Sequence, residues 1–282
     1  VAEDGADRRD PAAEPEREEK LRLGGMALRN GLLVHGPTSW AVAVRTRSGE
    51  IEVTSGRKPT LSRGRLGRIP LLRGPLRLAE ALGVLPLARL RSPSARLPFE
   101  DPRVIATALA VTLASAAARR LARGDASREL ALGLLGMLPA VAALRDRDLA
   151  AYHGAEHKAI AAYESGRPAA EEPKEHKRCG SNLIAPLLLF SVAAQVAVER
   201  SFERPNSLQR GLGSLLATGA AVEVFVFAER RPTSPLARLV HGAGYEIQRL
   251  FSTREPTPEQ LAVGEAAVAE LLRVEGAAAE GE

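Results

Sequence analysis

The stretch VIATALAVTLASAAA, Val104 to Ala118, runs fifteen residues without a charge, fenced by Arg103 on one side and Arg119-Arg120 on the other. Three similar stretches follow. Leu130 to Leu144 contains Pro139, Leu183 to Val198 contains Pro186 and Gln195, and Gly211 to Ala228 is interrupted by Glu223. A straight helix needs roughly 20 apolar residues to cross a bilayer core. Length alone therefore allows buried core helices as well as short spans or re-entrant hairpins. Two features favour a membrane. The stretches are apolar all round rather than striped, and charges crowd their ends, where snorkelling extends their reach. The expected fold is mainly α: a helical membrane protein with about four short apolar helices, a small N-terminal β-meander and a C-terminal amphipathic helix.

Outward from this membrane-embedded region (residues 99–230) the chain turns polar, a segregation that the mean hydropathy of −0.10 averages away. Residues 1–20 are rich in charge, Ala and Pro, with no apolar period, and are expected to form a disordered tail. Residues 21–60 form the expected meander. Leu28 to Val34 and Trp40 to Val44 are strand-like and separated by Gly36-Pro37; Arg47-Ser48-Gly49-Glu50 then connects into Ile51-Glu52-Val53. Residues 61–98 are an Arg-, Leu-, Gly- and Pro-rich linker in which Leu71 to Leu82 fits an interfacial helix or an ordinary surface helix equally. In the segment 231–275, Pro258 to Val274 reads as a capped helix with one stripe through Leu261, Ala262, Val268, Leu271 and Leu272; 276–282 is a tail.

The expected location is the cell membrane, multi-pass. No apolar signal region precedes the chain's first charges, so the N-terminus is expected in the cytoplasm. Even pairing of spans returns residues 149–182 to that side. Arginines flank every stretch, so the positive-inside count does not choose an orientation. Lys+Arg 39 against Asp+Glu 34 gives a formal charge of +5, which suits anionic membrane lipids as readily as nucleic acid. Aromatic residues make up only 4%, thin for stacking bases, so lipids and not nucleic acid are the expected partners. A homo-oligomer is compatible with the pattern. The single cysteine excludes an intramolecular disulfide framework and any zinc site built of several cysteines.

Chemistry is concentrated in Tyr152-His153-Gly154-Ala155-Glu156-His157-Lys158, expected on a helix that Asp148 caps and Gly166 with Pro168 ends. At about 100° per residue, with His153 at zero, His157 falls near 40°, Glu164 near 20° and Glu156 near −60°. Two imidazoles spaced i, i+4 converge on one divalent ion. Glu156 beside the second histidine matches the H-x-x-E-H arrangement, in which the glutamate is a general base and not a ligand. His176-Lys177-Arg178-Cys179 adds two further soft ligands suited to zinc or iron. The expected metal set is His153, His157, Glu164, His176 and Cys179, with Glu156 catalytic. Two other readings stay open: a polar network in which the histidines bond Glu164 and Glu156, and a nucleophilic Cys179 with His176 or His153 as base. His35 and His241, alone beside Gly-rich turns, read as surface or packing residues.

These residues resemble the YqhQ family, bacterial membrane proteins of unknown function described as predicted metal-dependent enzymes. The resemblance rests on Gly24-Gly25, Gly31, Gly36-Pro37 and Trp40 to Arg45; on Tyr152 to Lys158 with Tyr163-Glu164; on His176 with Arg178-Cys179-Gly180; and on Gln248-Arg249-Leu250 with Thr253-Arg254-Glu255-Pro256. It implies an integral membrane protein with metal ligands near the cytoplasmic face and brings no substrate. Met26 and Asn30 stand where the family usually has Gln and Glu, and His35 where it has an arginine, so the opening block is left out of the expected site. The functional expectation is a membrane-embedded, metal-dependent, hydrolase-like enzyme, zinc being the first choice of ion, acting on a membrane-proximal substrate. Its rival is a non-enzymatic scaffold in which a metal staples two segments together.

Overall fold

The computed structural model describes residues 20–60, 64–121 and 125–279. The expected disordered tail, apart from Lys20, lies outside them, as do residues 280–282. Strands β1 (Gly24–Leu28), β2 (Gly31–His35), β3 (Ser39–Arg45) and β4 (Ile51–Arg57) form one antiparallel sheet in sequence order. The meander has one more hairpin than the sequence reading gave it. Leu28 to Val34, taken as one strand, is broken by a two-residue turn at Arg29-Asn30, with Leu28 opposite Gly31. The Asn30 side chain satisfies this turn: its amide donates to the carbonyls of Arg45 and Ser94, both at 3.0 Å, and its oxygen accepts the Arg96 N–H at 2.9 Å.

Burial on both faces explains why this sheet shows little polar alternation. Leu32, Val34, Ala41 and Ala43 face a core shared with α5 (Arg147–Ser165) and α9 (Pro258–Ala279). Leu33, Trp40, Val42 and Val44 face the other way, onto Val84, Leu85 and Ala88 of α1 (Arg73–Arg91). The C-terminal amphipathic helix is therefore α9, and what it docks on is the sheet and α5. It buries Val263, Ala267, Val268 and Leu271. Near its end Glu275 accepts hydrogen bonds from the Thr38 and Ser39 N–H groups and the Thr38 hydroxyl at 2.7–2.9 Å, pinning the β2–β3 turn.

The remaining helices are α2 (Pro102–Leu121), α3 (Ala126–Leu135), α4 (Leu138–Leu144), α6 (Ile184–Ser201), α7 (Ser207–Arg230) and α8 (Pro235–Ile247). Among the described residues, three segments are long and apolar enough to cross a membrane: Ala126–Leu144, Gly180–Ser201 and Ser207–Arg230. Only 11%, 22% and 28% of their apolar windows are buried within the chain, which separates them from the core helices of a globular protein. Leu189, Leu208, Leu212 and Leu216 are all exposed. Surface of this kind favours membrane association. The first apolar stretch lies in α2. The second breaks at Gly136-Met137, and Pro139 enters the first turn of α4, where its missing N–H has no intrahelical partner to lose.

Ion pairs hold this layer together. Glu129 of α3 pairs with Arg119 of α2 (3.1 Å) and with Arg128 (3.2 Å), while Glu199 at the end of α6 pairs with Arg210 at the start of α7. Arg128 also lies 3.8 Å from Glu199, so the end of α2, the start of α3 and the connection 202–206 lie together at one end of the helices. Glu223, the charge inside the fourth apolar stretch, pairs with Arg73, its Oε1 accepting from Nε at 2.7 Å, and so fastens α1 to α7.

His35 closes β2, its ring packed so tightly over Gly24 that a Cβ there would lie 3.0 Å from the ring. Burial, with help from Lys58, lowers its pKa to about 4. In the unfolded chain it titrates near 6.5. Between these values the unfolded chain binds more protons at this residue, so the contribution of His35 to stability is full above about pH 6.5 and is lost as the pH drops toward 4, by up to roughly 3 kcal/mol. Thermal unfolding of detergent-solubilised protein across that window is expected to record the fall, and His35→Gln to flatten it; an unaltered slope in the variant removes His35 as its source.

Candidate metal centre

Helix α5 carries the central motif. Its N-cap is Asp146, two residues before the expected Asp148, because the backbone is already extended there after α4. The Asp146 carboxylate accepts the N–H groups of Asp148 and Leu149 at 3.0 and 3.4 Å. Gly166, at φ 79°, ends the helix where the sequence places it.

One turn apart on α5, the rings of His153 and His157 stand with centroids 4.4 Å apart. A main-chain carbonyl orients each. His153 Nδ1 donates to Ser252 O at 2.8 Å, and His157 Nδ1 donates to Lys174 O at 2.6 Å. Each ring is thereby oriented with Nε2 on the side away from its carbonyl partner, the arrangement that metal-binding histidines require. Gly154 makes the first of these bonds possible. A Cβ there would meet Arg254 O at 2.1 Å, so only glycine lets residues 252–254 lie against the helix.

Cys179 arrives on the loop before α6. Buried Gln248, in a π-helical turn after α8, grips that loop: its side-chain oxygen accepts the His176 N–H at 2.7 Å, and its amide donates to His176 O (3.2 Å) and Ser181 Oγ (2.9 Å). The Cys179 Sγ consequently sits 3.5 Å from His153 Nε2. One donor atom each from His153, His157 and Cys179 lie within 4.8 Å of one another. Tetrahedral zinc, with bonds of about 2.0–2.3 Å, spaces its ligands roughly 3.3–3.8 Å apart. A small side-chain adjustment would bring the three donors onto such an ion. His157 Nε2 is buried with no hydrogen-bond partner among the described residues, an open lone pair that a cation would satisfy.

The other expected residues fall around this trio. Glu156 is buried against β1, its carboxylate filling the space a side chain on Gly25 would need: a Cβ there would lie 2.7 Å from Oε1. Burial raises its pKa to about 8, with the Cys179 side contributing and His153 opposing. His176 stacks beside His157 at 5.7 Å, but its Nε2 faces Glu164 Oε2 at 3.3 Å. Glu164 also pairs with Arg178. These two expected ligands thus engage each other and a guanidinium, outside the three-donor cluster. Burial also holds His157 well below the usual imidazole range, lowers His176 and pushes the Cys179 thiol up.

A cavity of about 420 Å³ opens beside the cluster, bordered by Gly25, His35, His153, Glu156, His157 and Cys179, with Leu144 and Ser181 marking where two membrane-length segments end and begin. His35 belongs to this lining although it stood alone in the sequence. His241 is not isolated either: its Nδ1 accepts from the Asn182 amide at 3.3 Å and its Nε2 lies 3.6 Å from Glu229. The oriented carbonyls and Gln248 also escaped the sequence reading. The closing block, Gln248 to Pro256, was visible as a block, but its purpose was not.

The family profile described as "Protein of unknown function (DUF1385)" matches residues 132–274, half of the chain, and spans the whole cluster. The "Uncharacterized protein YqhQ" of Bacillus subtilis (strain 168) is 30% identical over 129 residues, covering 44% of this chain and 40% of the relative. The matched region is thus well under two thirds of that relative's length. No solved structure matches. With half its length, and every donor of the cluster, inside the family profile, the chain belongs to the YqhQ family, DUF1385, whose function is unknown.

Proposed function

We propose that this protein is a metal-dependent, hydrolase-like enzyme in the cell membrane, with His153, His157 and Cys179 as ligands, zinc as the ion and Glu156 as general base. The observation that carries the reading is the buried, unpartnered Nε2 of His157 beside a second oriented imidazole and the chain's lone thiol. Two imidazoles and a sulfur form a donor set that suits zinc. Such an ion supplies Lewis acidity and lowers the pKa of bound water. The chain's own residues do the rest. Ser252 and Lys174 hold the ligand rings in one tautomer, and burial keeps His157 neutral. Glu156, next to the ligands and facing the cavity, is brought by burial to a pKa of about 8, close enough to neutrality for its ionised form to accept a proton from water and its protonated form to pass it to a leaving group.

Three protein ligands leave room for a water or a substrate atom, as catalytic zinc sites do and structural ones do not. The stapling role is already filled by Gln248, whose bonds hold the ligand loop. A nucleophilic Cys179 fits less well. Its neighbour His153 is near enough, yet burial pushes the thiol up, away from the thiolate that nucleophilic attack needs.

Elemental analysis of the purified full chain is expected to find about one zinc per molecule, with His157→Ala and Cys179→Ala stripped of most of it. Glu156→Gln is expected to keep the metal and lose hydrolysis of a panel of activated esters and peptides by about 10²–10⁴-fold. Equal metal in wild type and His157→Ala overturns the site, and full activity in Glu156→Gln overturns the base.

The proposed orientation puts the sheet, α5 and the cavity in the cytoplasm and the connection 202–206 outside. It rests on that connection sharing one end of the helices with Arg119 and Glu129, while Leu144 and Ser181 border the cavity at the other. Arg204→Cys in intact cells is expected to react with a membrane-impermeant maleimide, and Ser48→Cys only after permeabilisation. The reverse pattern inverts the orientation.

A further inference from the structure

Strand β1 is an edge of the sheet, and pairing parity fixes which of its amides are free. In the β2–β3 ladder, bonds link Asn30 to Arg45 at one end (2.7 Å) and Gly36 to Ser39 at the other (3.0 Å), so even-numbered β2 residues bond toward β3. Odd-numbered residues of β2 must then bond toward β1, and the register pairs Gly31, Leu33 and His35 with Leu28, Met26 and Gly24. The main-chain groups of Leu23, Gly25 and Ala27 consequently point away from the sheet. The next residue of that parity, Arg29, has its N–H taken by Arg96 O at 2.9 Å, so chain is already laid along this edge at its far end. Gly25 and Ala27 have no such partner among the described residues.

Leu23 and Ala27 are buried and Gly25 is exposed, so the edge is open at Gly25, beside the cavity holding His153, Glu156, His157 and Cys179. Gly24-Gly25 presents bare backbone to it, with Glu156 packed directly against Gly25. We infer that the substrate is an extended polypeptide segment, bound by strand addition at Gly25 of β1 through its N–H and C=O, so that one of its peptide bonds lies beside Glu156 and the three donors. The inference rests on the hydrolytic reading above and adds its substrate class. Main-chain pairing supplies the binding, and the small cavity limits the side chain at the reacting position. In the reaction, the water oxygen bonds to the carbonyl carbon, the C–N bond breaks, and Glu156 carries a water proton to the departing amine nitrogen, leaving a carboxylate and an amine.

The probe is unfolded β-casein, incubated with zinc-loaded full-length protein in detergent. Fragments identified by mass spectrometry are expected, and Gly25→Pro, which removes the outward N–H, is expected to form them at least tenfold more slowly than Gly25→Ala, which crowds Glu156 in the same way but keeps that N–H, at equal zinc content. Peptides spanning a cleaved site and N-methylated at alternate nitrogens should compete unequally, one parity at least tenfold weaker than the other. Equal competition by both parities overturns strand addition. Bound zinc with hydrolysis of 4-nitrophenyl acetate, yet intact casein, overturns the polypeptide assignment while the hydrolytic reading stands. Activity confined to phosphatidylglycerol vesicles reassigns the cavity to lipid, and absence of zinc overturns both readings together.

Discussion

Two main-chain carbonyls, Ser252 O and Lys174 O, decide what the imidazoles of α5 can do. A histidine offers a lone pair from only one nitrogen, and the bond made by the other nitrogen chooses which. With both Nδ1 atoms committed as donors, both Nε2 atoms are left as bases turned toward a single thiol. Everything that brings those carbonyls into place becomes part of the site. Gly154 lets residues 252–254 approach, the Arg254 N–H bonds back to Ala150 O at 2.9 Å, and Lys158 reaches Glu255 at 2.7 Å. The closing block of the sequence is the support of the central one.

This division explains what could be read from the chain alone. The helix, its glycine stop and the i, i+4 histidine pair are local, and periodicity finds them. The carbonyl partners are not: Ser252 lies 99 residues from His153 and carries no side-chain signature for the contact. Glu164 marks the limit of the helical wheel. It shares the azimuth of His153, but at a rise of 1.5 Å per residue it sits about 10 Å beyond His157 along the axis. A wheel reports direction and discards height, so Glu164 reaches Arg178 and His176 and not the cluster. His35 was set aside because its neighbour Gly24 is brought to it by strand pairing.

The apolar helices were legible as stretches of sequence because freedom from charge over fifteen or more residues is a local property; three of them are membrane-length among the described residues. The charges around these helices were expected to snorkel, yet several pair with one another. Glu129 is buried between two arginines, and Glu223 is claimed by Arg73. A buried ion pair adds little net stability, but removing one partner leaves a costly charge behind. These pairs therefore act chiefly on register, fixing which helix meets which.

The three donor side chains of the cluster come from both layers of the molecule. His153 and His157 ride on α5, whose other face is packed into the sheet and α9. Cys179 leads directly into Gly180–Ser201, one of the membrane-length segments. Gln248, which sets the distance between them, follows α8, a helix packed on α7. A centre assembled this way holds its donors at bonding distance only while the sheet layer and the helical layer keep their mutual position. A tilt of the apolar helices relative to the sheet moves the sulfur and leaves the imidazoles where they are. The geometry of the cluster is thus coupled, through one cysteine and one glutamine, to whatever surrounds the apolar helices.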